Sequence, residues 1–331
     1  MDEITYIFGA GASYHSMPLV ENFKYRFSVF IDFIRDASYQ SELVIDSIDF
    51  LFKIKAHASF DTYFKKLFHQ RKTSQIIKSK KILLSFFLFE HLIDIETYNQ
   101  TANTYNDLAV KKEFNVDPRY EALIAGLLKP FPKIEFYSNI NFITWNYDVN
   151  LLVGLRNFIS SKEKLEEFFE TCYQENYFNI SPQIKLVHLN GFTFHPVLNN
   201  MFAPAEVIFK SMEQICEDYA SSEEFEAWSK QIKFAWEGNT YDFSTLNGMI
   251  ENSSTIILVG YSLPLYNRIF DTKILNDEIL SDKHLIVQDL RAKTLGSILE
   301  SDFDINFNTE EIDISLHENC DSFIVPRQIF N

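Results

Sequence analysis

Four short segments of this chain combine residues that can do chemistry with glycines that let backbone approach a ligand. Phe8-Gly9-Ala10-Gly11-Ala12-Ser13 is a glycine turn. The N–H groups of such a turn, helped by a following helix N-terminus, can cradle a pyrophosphate. Thr144-Trp145-Asn146-Tyr147-Asp148 brings an amide and a carboxylate close together in sequence. Val187-His188-Leu189-Asn190-Gly191 offers a histidine able to act as a general base near neutral pH. Val259-Gly260-Tyr261-Ser262-Leu263-Pro264 adds a hydroxyl suited to a ribose or a phosphate. Each segment also has a plainer reading. Asn and Asp begin turns and cap helices, glycines serve tight turns, and a lone histidine is commonly structural.

Each of the four follows a short, continuously apolar run: residues 4–8, 142–144, 184–187 and 255–259. Runs of this kind read as buried parallel strands. A fifth run, 284–287, ends at Gln288-Asp289, and a sixth, 311–316, is weaker. Of the nine glycines, Gly9, Gly11, Gly191 and Gly260 fall just beyond strand ends. In an open α/β sheet the crevice beyond the strand tips is where ligands bind, so the four glycines together favour a site. Helical spacing near residues 20–34, 59–70, 74–93 and 119–128 occupies the long connection between the first two strands, with 99–106 reading as a loop. A further acidic helical segment, 205–234, separates the third and fourth strands. The expected fold is therefore α/β: a Rossmann-like parallel sheet with helices on both faces and a large helical insertion between the first two strands. Residues 1–18 and 135–331 would form the main domain, and 19–134 the insertion.

Composition narrows the partners. The formal net charge is −16, which disfavours broad nucleic-acid binding because a polyanion would be repelled. A local basic stretch (Lys65, Lys66, Arg71, Lys72, Lys78, Lys80 and Lys81) reads first as a solvated helix face, with a partner surface or phosphate contact as the alternative. The chain enters an apparent strand at once, without a signal-peptide pattern, and the run 82–89 is too short to span a bilayer. Cys172, Cys216 and Cys320 are widely spaced and form no CxxC pair, as expected of reduced cytoplasmic thiols. No metal site is expected. The 33 phenylalanines point either to a bulky core with apolar assembly surface or to compositional drift.

The glycine turn lacks the third glycine of the dehydrogenase fingerprint, because Tyr14 stands there. Taken in order, GAGAS, WNYD, VHLNG and GYSLP resemble the sirtuin-like superfamily, across roughly residues 4–290. The resemblance implies that NAD is the substrate. Asn146 would be the catalytic asparagine that positions the nicotinamide ribose or an attacking water. Asp148 would face the nicotinamide carboxamide, and His188 would be the base. Gly9, Ala10, Gly11 and Ser13 would hold the pyrophosphate, while Gly260 and Ser262 would contact the adenosine half. Asp289 is a candidate for the adenosine ribose on position alone.

Two departures shape the expected activity. The paired cysteines of the zinc module in protein-deacetylating sirtuins are missing, and Tyr14-His15-Ser16-Met17-Pro18-Leu19 stands in place of their arginine-bearing segment. The chain then resembles the sirtuin-like effectors of bacterial anti-phage defence, which hydrolyse NAD. That resemblance implies a cytoplasmic NADase that assembles with itself, or with a HerA-type ATPase or an Argonaute-like sensor. A non-catalytic NAD or ADP-ribose sensor is the alternative. Protein deacylation and ADP-ribosyl transfer rank below it, and cyclisation to a signalling nucleotide stays open because the same cation can meet different nucleophiles.

Overall fold

A computed structural model describes residues 3–36, 41–92, 117–130, 135–156, 158, 177–181, 184–193, 205–237, 243–303, 305 and 313–327. Its centre is a seven-stranded sheet: β1 (Glu3–Phe8), β2 (Asn139–Thr144), β3 (Tyr177–Ser181), β4 (Ile184–His188), β5 (Ser253–Val259), β6 (His284–Gln288) and β7 (Asp313–His317). The spatial order is β3-β4-β2-β1-β5-β6-β7. β3 pairs antiparallel with β4 at the edge, and the other six strands are parallel. Leaving out that edge strand, the order is that of the doubly wound dinucleotide-binding fold, with its switch point between β1 and β5.

The parallel register aligns the strand ends. His188, Thr144, Phe8, Val259, Gln288 and His317 form one row across the sheet. All four sequence motifs therefore leave the sheet at the same level. Alternation within β1 shows why each strand is apolar throughout. Ile4, Tyr6 and Phe8 enter one core, and Ile7 enters the other.

Helices cover both faces. Between β1 and β2 lie α1 (Phe23–Asp36), α2 (Glu42–Lys55), α3 (Phe60–His69), α4 (Thr73–Leu92) and α5 (Pro118–Leu127). Next come α6 (Asn150–Arg156), α7 (Ala205–Ser221), α8 (Glu223–Ser229) and α9 (Phe243–Glu251), and after β5 α10 (Arg268–Ile274), α11 (Asp277–Leu280) and α12 (Ala292–Asp302). Apolar residues of α1–α5 share one continuous core with Tyr6, Phe8, Phe142 and Leu186 of the sheet. The second core packs α9–α12 on the opposite face. The expected loop at 99–106 lies outside the described residues.

The sequence pattern explains α4. From Ser79 to Leu92 all but one of its residues are buried, so it runs through the middle of the crossover helices. Its inward rings meet those of α1: Phe86 lies 5.1 Å from Phe27, and Phe89 lies 5.3 Å from Phe30. Most of the described phenylalanines thus fill the interior. Among the described residues only Phe52 and Phe68 stand out as exposed phenylalanines. The basic stretch turns inward in part. Lys80 is buried and pairs with Glu237, half-buried Lys81 donates to the Tyr219 carbonyl, and exposed Lys78 pairs with Asp46. No described helix is long and apolar enough to cross a membrane.

Candidate active site

The glycine turn and the Gly260 turn pack against each other at the switch point. Gly9 N–H donates to Val259 O at 3.0 Å, and Gly11 N–H donates to Gly260 O at 3.0 Å. Gly260 has φ +56°, and a Cβ there would lie 2.3 Å from Ala12 N. A Cβ on Gly9 would lie 2.5 Å from Tyr261 Cα. These glycines therefore permit two turns to touch. A pyrophosphate using the Gly9 and Gly11 amides would have to displace the bonds already made.

Beyond these turns lies a cavity of about 350 Å³. Gly9, Ala10 and Ser13 line it from the first motif, Asn146 and Asp148 from the second, and Ser262 from the fourth. Asn146 Nδ2 donates to Gly9 O at 2.9 Å and to Ser13 Oγ at 3.1 Å. Its backbone N–H donates to Thr144 Oγ1. Ser13 Oγ also lies 2.9 Å from the Tyr120 hydroxyl. Asp148 is buried, which pushes its carboxyl up to about 6 against hydrogen bonds from Ser13 and Asn150 that favour the anion. Its Oδ1 accepts from Asn150 N–H at 3.0 Å.

His188, Gly11, Gly260 and Asp289 do not line the cavity. His188 sits at the end of β4, beside Thr144 in register and buried against Phe192. Burial pushes its imidazole down to about 4, so the ring is neutral at pH 7. Asp289 Oδ1 accepts from Arg291 N–H at 2.8 Å, at the start of α12. In this position the carboxylate closes a local turn just before α12, whose N-cap is Arg291. Asn190 of the third motif does line the cavity, and its Nδ2 donates to Trp145 O at 2.9 Å.

Several contributors come from places where the sequence carried no sign of them. Phe23, Phe60, Asp61 and Phe87 line the cavity from α1, α3 and α4, and Trp236 from the segment after α8. His91 of α4 accepts from Val149 N–H at 3.4 Å, tying the second motif to the crossover helices. Arg119 of α5 is buried and donates to Ala12 O at 2.8 Å, to Cys320 O at 2.9 Å and to Asp117. It clamps the glycine turn from behind. On the other side the Trp145 ring stacks on Tyr261, centroids 5.9 Å apart. At the mouth, Thr62 Oγ1 and the Tyr266 hydroxyl are 3.0 Å apart, which bridges α3 and the Pro264 turn. Helical spacing marked α1, α3, α4 and α5 as helices but not as parts of a site; Ser59 caps α3 by accepting from Thr62 N–H, and Asp117 caps α5 by accepting from Arg119 N–H.

The described residues contain no group of His, Cys, Asp and Glu able to hold a metal ion. Chemically, the arrangement presents an amide, a hydroxyl and a carboxyl of raised affinity for protons on an aromatic, largely apolar wall. No protein-family model matches this chain, and no curated protein matches it.

Proposed function

We propose that this chain is an NAD glycohydrolase. It breaks the bond between nicotinamide and ribose with water as acceptor, releasing nicotinamide, ADP-ribose and a proton. The observation that carries this reading is the convergence of Ser13, Asn146 and Asp148 on one aromatic cavity at the switch point of a doubly wound sheet. The resemblance of the four motifs to sirtuin-like proteins points the same way.

The chemistry asks little of acid catalysis, because nicotinamide leaves from a cation as a neutral molecule. The protein must orient the ribose, stabilise the developing oxocarbenium ion and exclude stray nucleophiles. Asn146 would orient the ribose or the water through its amide. Asp148, predominantly ionised above pH 6, would stabilise positive charge and can accept the proton released by the water. The volume of about 350 Å³ suits the nicotinamide–ribose end of the dinucleotide. His188 would act as a base only after a local rearrangement that brings it to the cavity. A resting site of this kind fits an effector held at low basal activity. We place the chain with the abortive-infection effectors of anti-phage defence, assembling with itself or activated by a HerA-type ATPase or an Argonaute-like sensor.

The test is nicotinamide release from NAD by the purified protein, alone and co-expressed with its genomic neighbours. Turnover that Asn146→Ala and His188→Ala both abolish is expected. No turnover in any combination, with NAD binding intact, would overturn the enzyme reading. One observation favours the alternative of a non-catalytic nucleotide sensor: the Asn146 amide is already engaged by Gly9 and Ser13, and His188 stands outside the cavity.

A further inference from the structure

The cavity holds a second carboxylate that the four motifs do not include. Asp61 lies in the first turn of α3, so the crossover helices deliver it to a cavity whose other carboxylate, Asp148, comes from the end of β2. No lysine, arginine or histidine lines this cavity among the described residues. The walls are aromatic instead: Phe23, Phe60, Phe87, Trp145, Tyr147 and Trp236.

We infer that this compartment is a recognition site for a flat aromatic cation, with Asp61 as a specificity-determining residue that matches the ligand's charge. The inference rests on the proposed function for its natural ligand, the pyridinium end of NAD, and names what selects that end.

Two carboxylates facing an apolar space without a counter-charge make that space negative, and a low local dielectric magnifies the effect. Aromatic faces add to the field, because the ring quadrupole attracts a cation placed over it. A neutral ring of the same shape gains the stacking alone, and a phosphate finds no counter-charge on the lining side chains. The surroundings of Asp61 agree. Burial pushes its carboxyl up to about 6, with its own backbone N–H as the opposing influence. An acidic residue in a first helical turn ordinarily interacts favourably with the helix dipole. A carboxyl that faces an aromatic cavity bears an additional desolvation cost, which a bound cation would relieve.

The probes are 1-methylnicotinamide, which is permanently cationic, and nicotinamide, which has the same ring and carboxamide without the charge. Calorimetric titration of the wild type should show the cation binding at least about tenfold more tightly, roughly 1.4 kcal/mol. Asp61→Asn should remove most of that preference and leave nicotinamide binding unchanged, and Asp61→Ser should do the same should the asparagine variant misfold. Equal affinity for the two probes, no measurable binding of either, or a preference retained in both variants overturns the inference. NAD hydrolysis is read separately. Cation preference without turnover refutes the proposed reaction and leaves the recognition site standing, whereas turnover without cation preference does the reverse.

Discussion

Asp148→Asn should make this protein more stable at pH 8 while removing the carboxylate its proposed chemistry needs. The carboxyl rises from 3.8 in the open chain to about 6 in the folded protein because burial disfavours the anion. Between those values the native state binds more protons than the unfolded state, so stability falls as pH rises through the window. The penalty is absent below pH 3.8 and complete above pH 6. At about 1.36 kcal/mol per unit it amounts to about 3 kcal/mol at pH 8 and about half that at pH 5. Asparagine carries no charge to desolvate, and its Oδ1 can still accept from Asn150 N–H. Urea unfolding of both proteins at pH 5 and pH 8 measures the effect as the difference in unfolding free energy. The variant should gain on the wild type by up to about 3 kcal/mol at pH 8, with a smaller gain at pH 5. A variant no more stable than the wild type at pH 8, or a difference that does not change with pH, refutes the argument from burial.

Three other perturbations probe the scaffold of the site. Gly260→Ala places a Cβ 2.3 Å from Ala12 N at φ +56° and should cost more than about 2 kcal/mol, read as a lower urea midpoint; a midpoint within error of the wild type counts against the packed turns. Arg119→Met leaves Asp117 buried without its cation and should cost about 3–5 kcal/mol, with much of the loss recovered in Arg119→Met/Asp117→Leu. Tyr266→Phe removes the hydroxyl bridge to Thr62 at the cavity mouth and should raise the association rate of NAD several-fold in stopped-flow fluorescence. An unchanged rate would show that the bridge does not limit entry.

The chain's own residues made much of the sheet legible. Continuous apolar runs such as residues 4–8 and 255–259 read as parallel strands because both faces of those strands are buried, and they are β1 and β5. The weaker run at 311–316 is β7, shifted to Asp313–His317. β3 and α2 carried no clear signal. β3 is an antiparallel edge strand, and α2 keeps Ile45 and Phe52 exposed among its apolar residues, which blurs the face that periodicity would reveal.

For the site, sequence by itself determined what local spacing can express. Gly9, Asn146, Asp148 and Ser262 were marked by lying just beyond apolar strands, and all four line the cavity. Backbone geometry ties these residues to strand ends that the sheet register aligns, so one short segment carries each piece of information. Only the tertiary structure decided the rest. The Gly9 and Gly11 amides are occupied by the neighbouring Val259–Gly260 segment, His188 is buried against Phe192 outside the cavity, and Asp61 enters the cavity from a helix far away in sequence. Those outcomes depend on which surfaces pack together across the chain, and packing between distant segments leaves no period or spacing in any one of them.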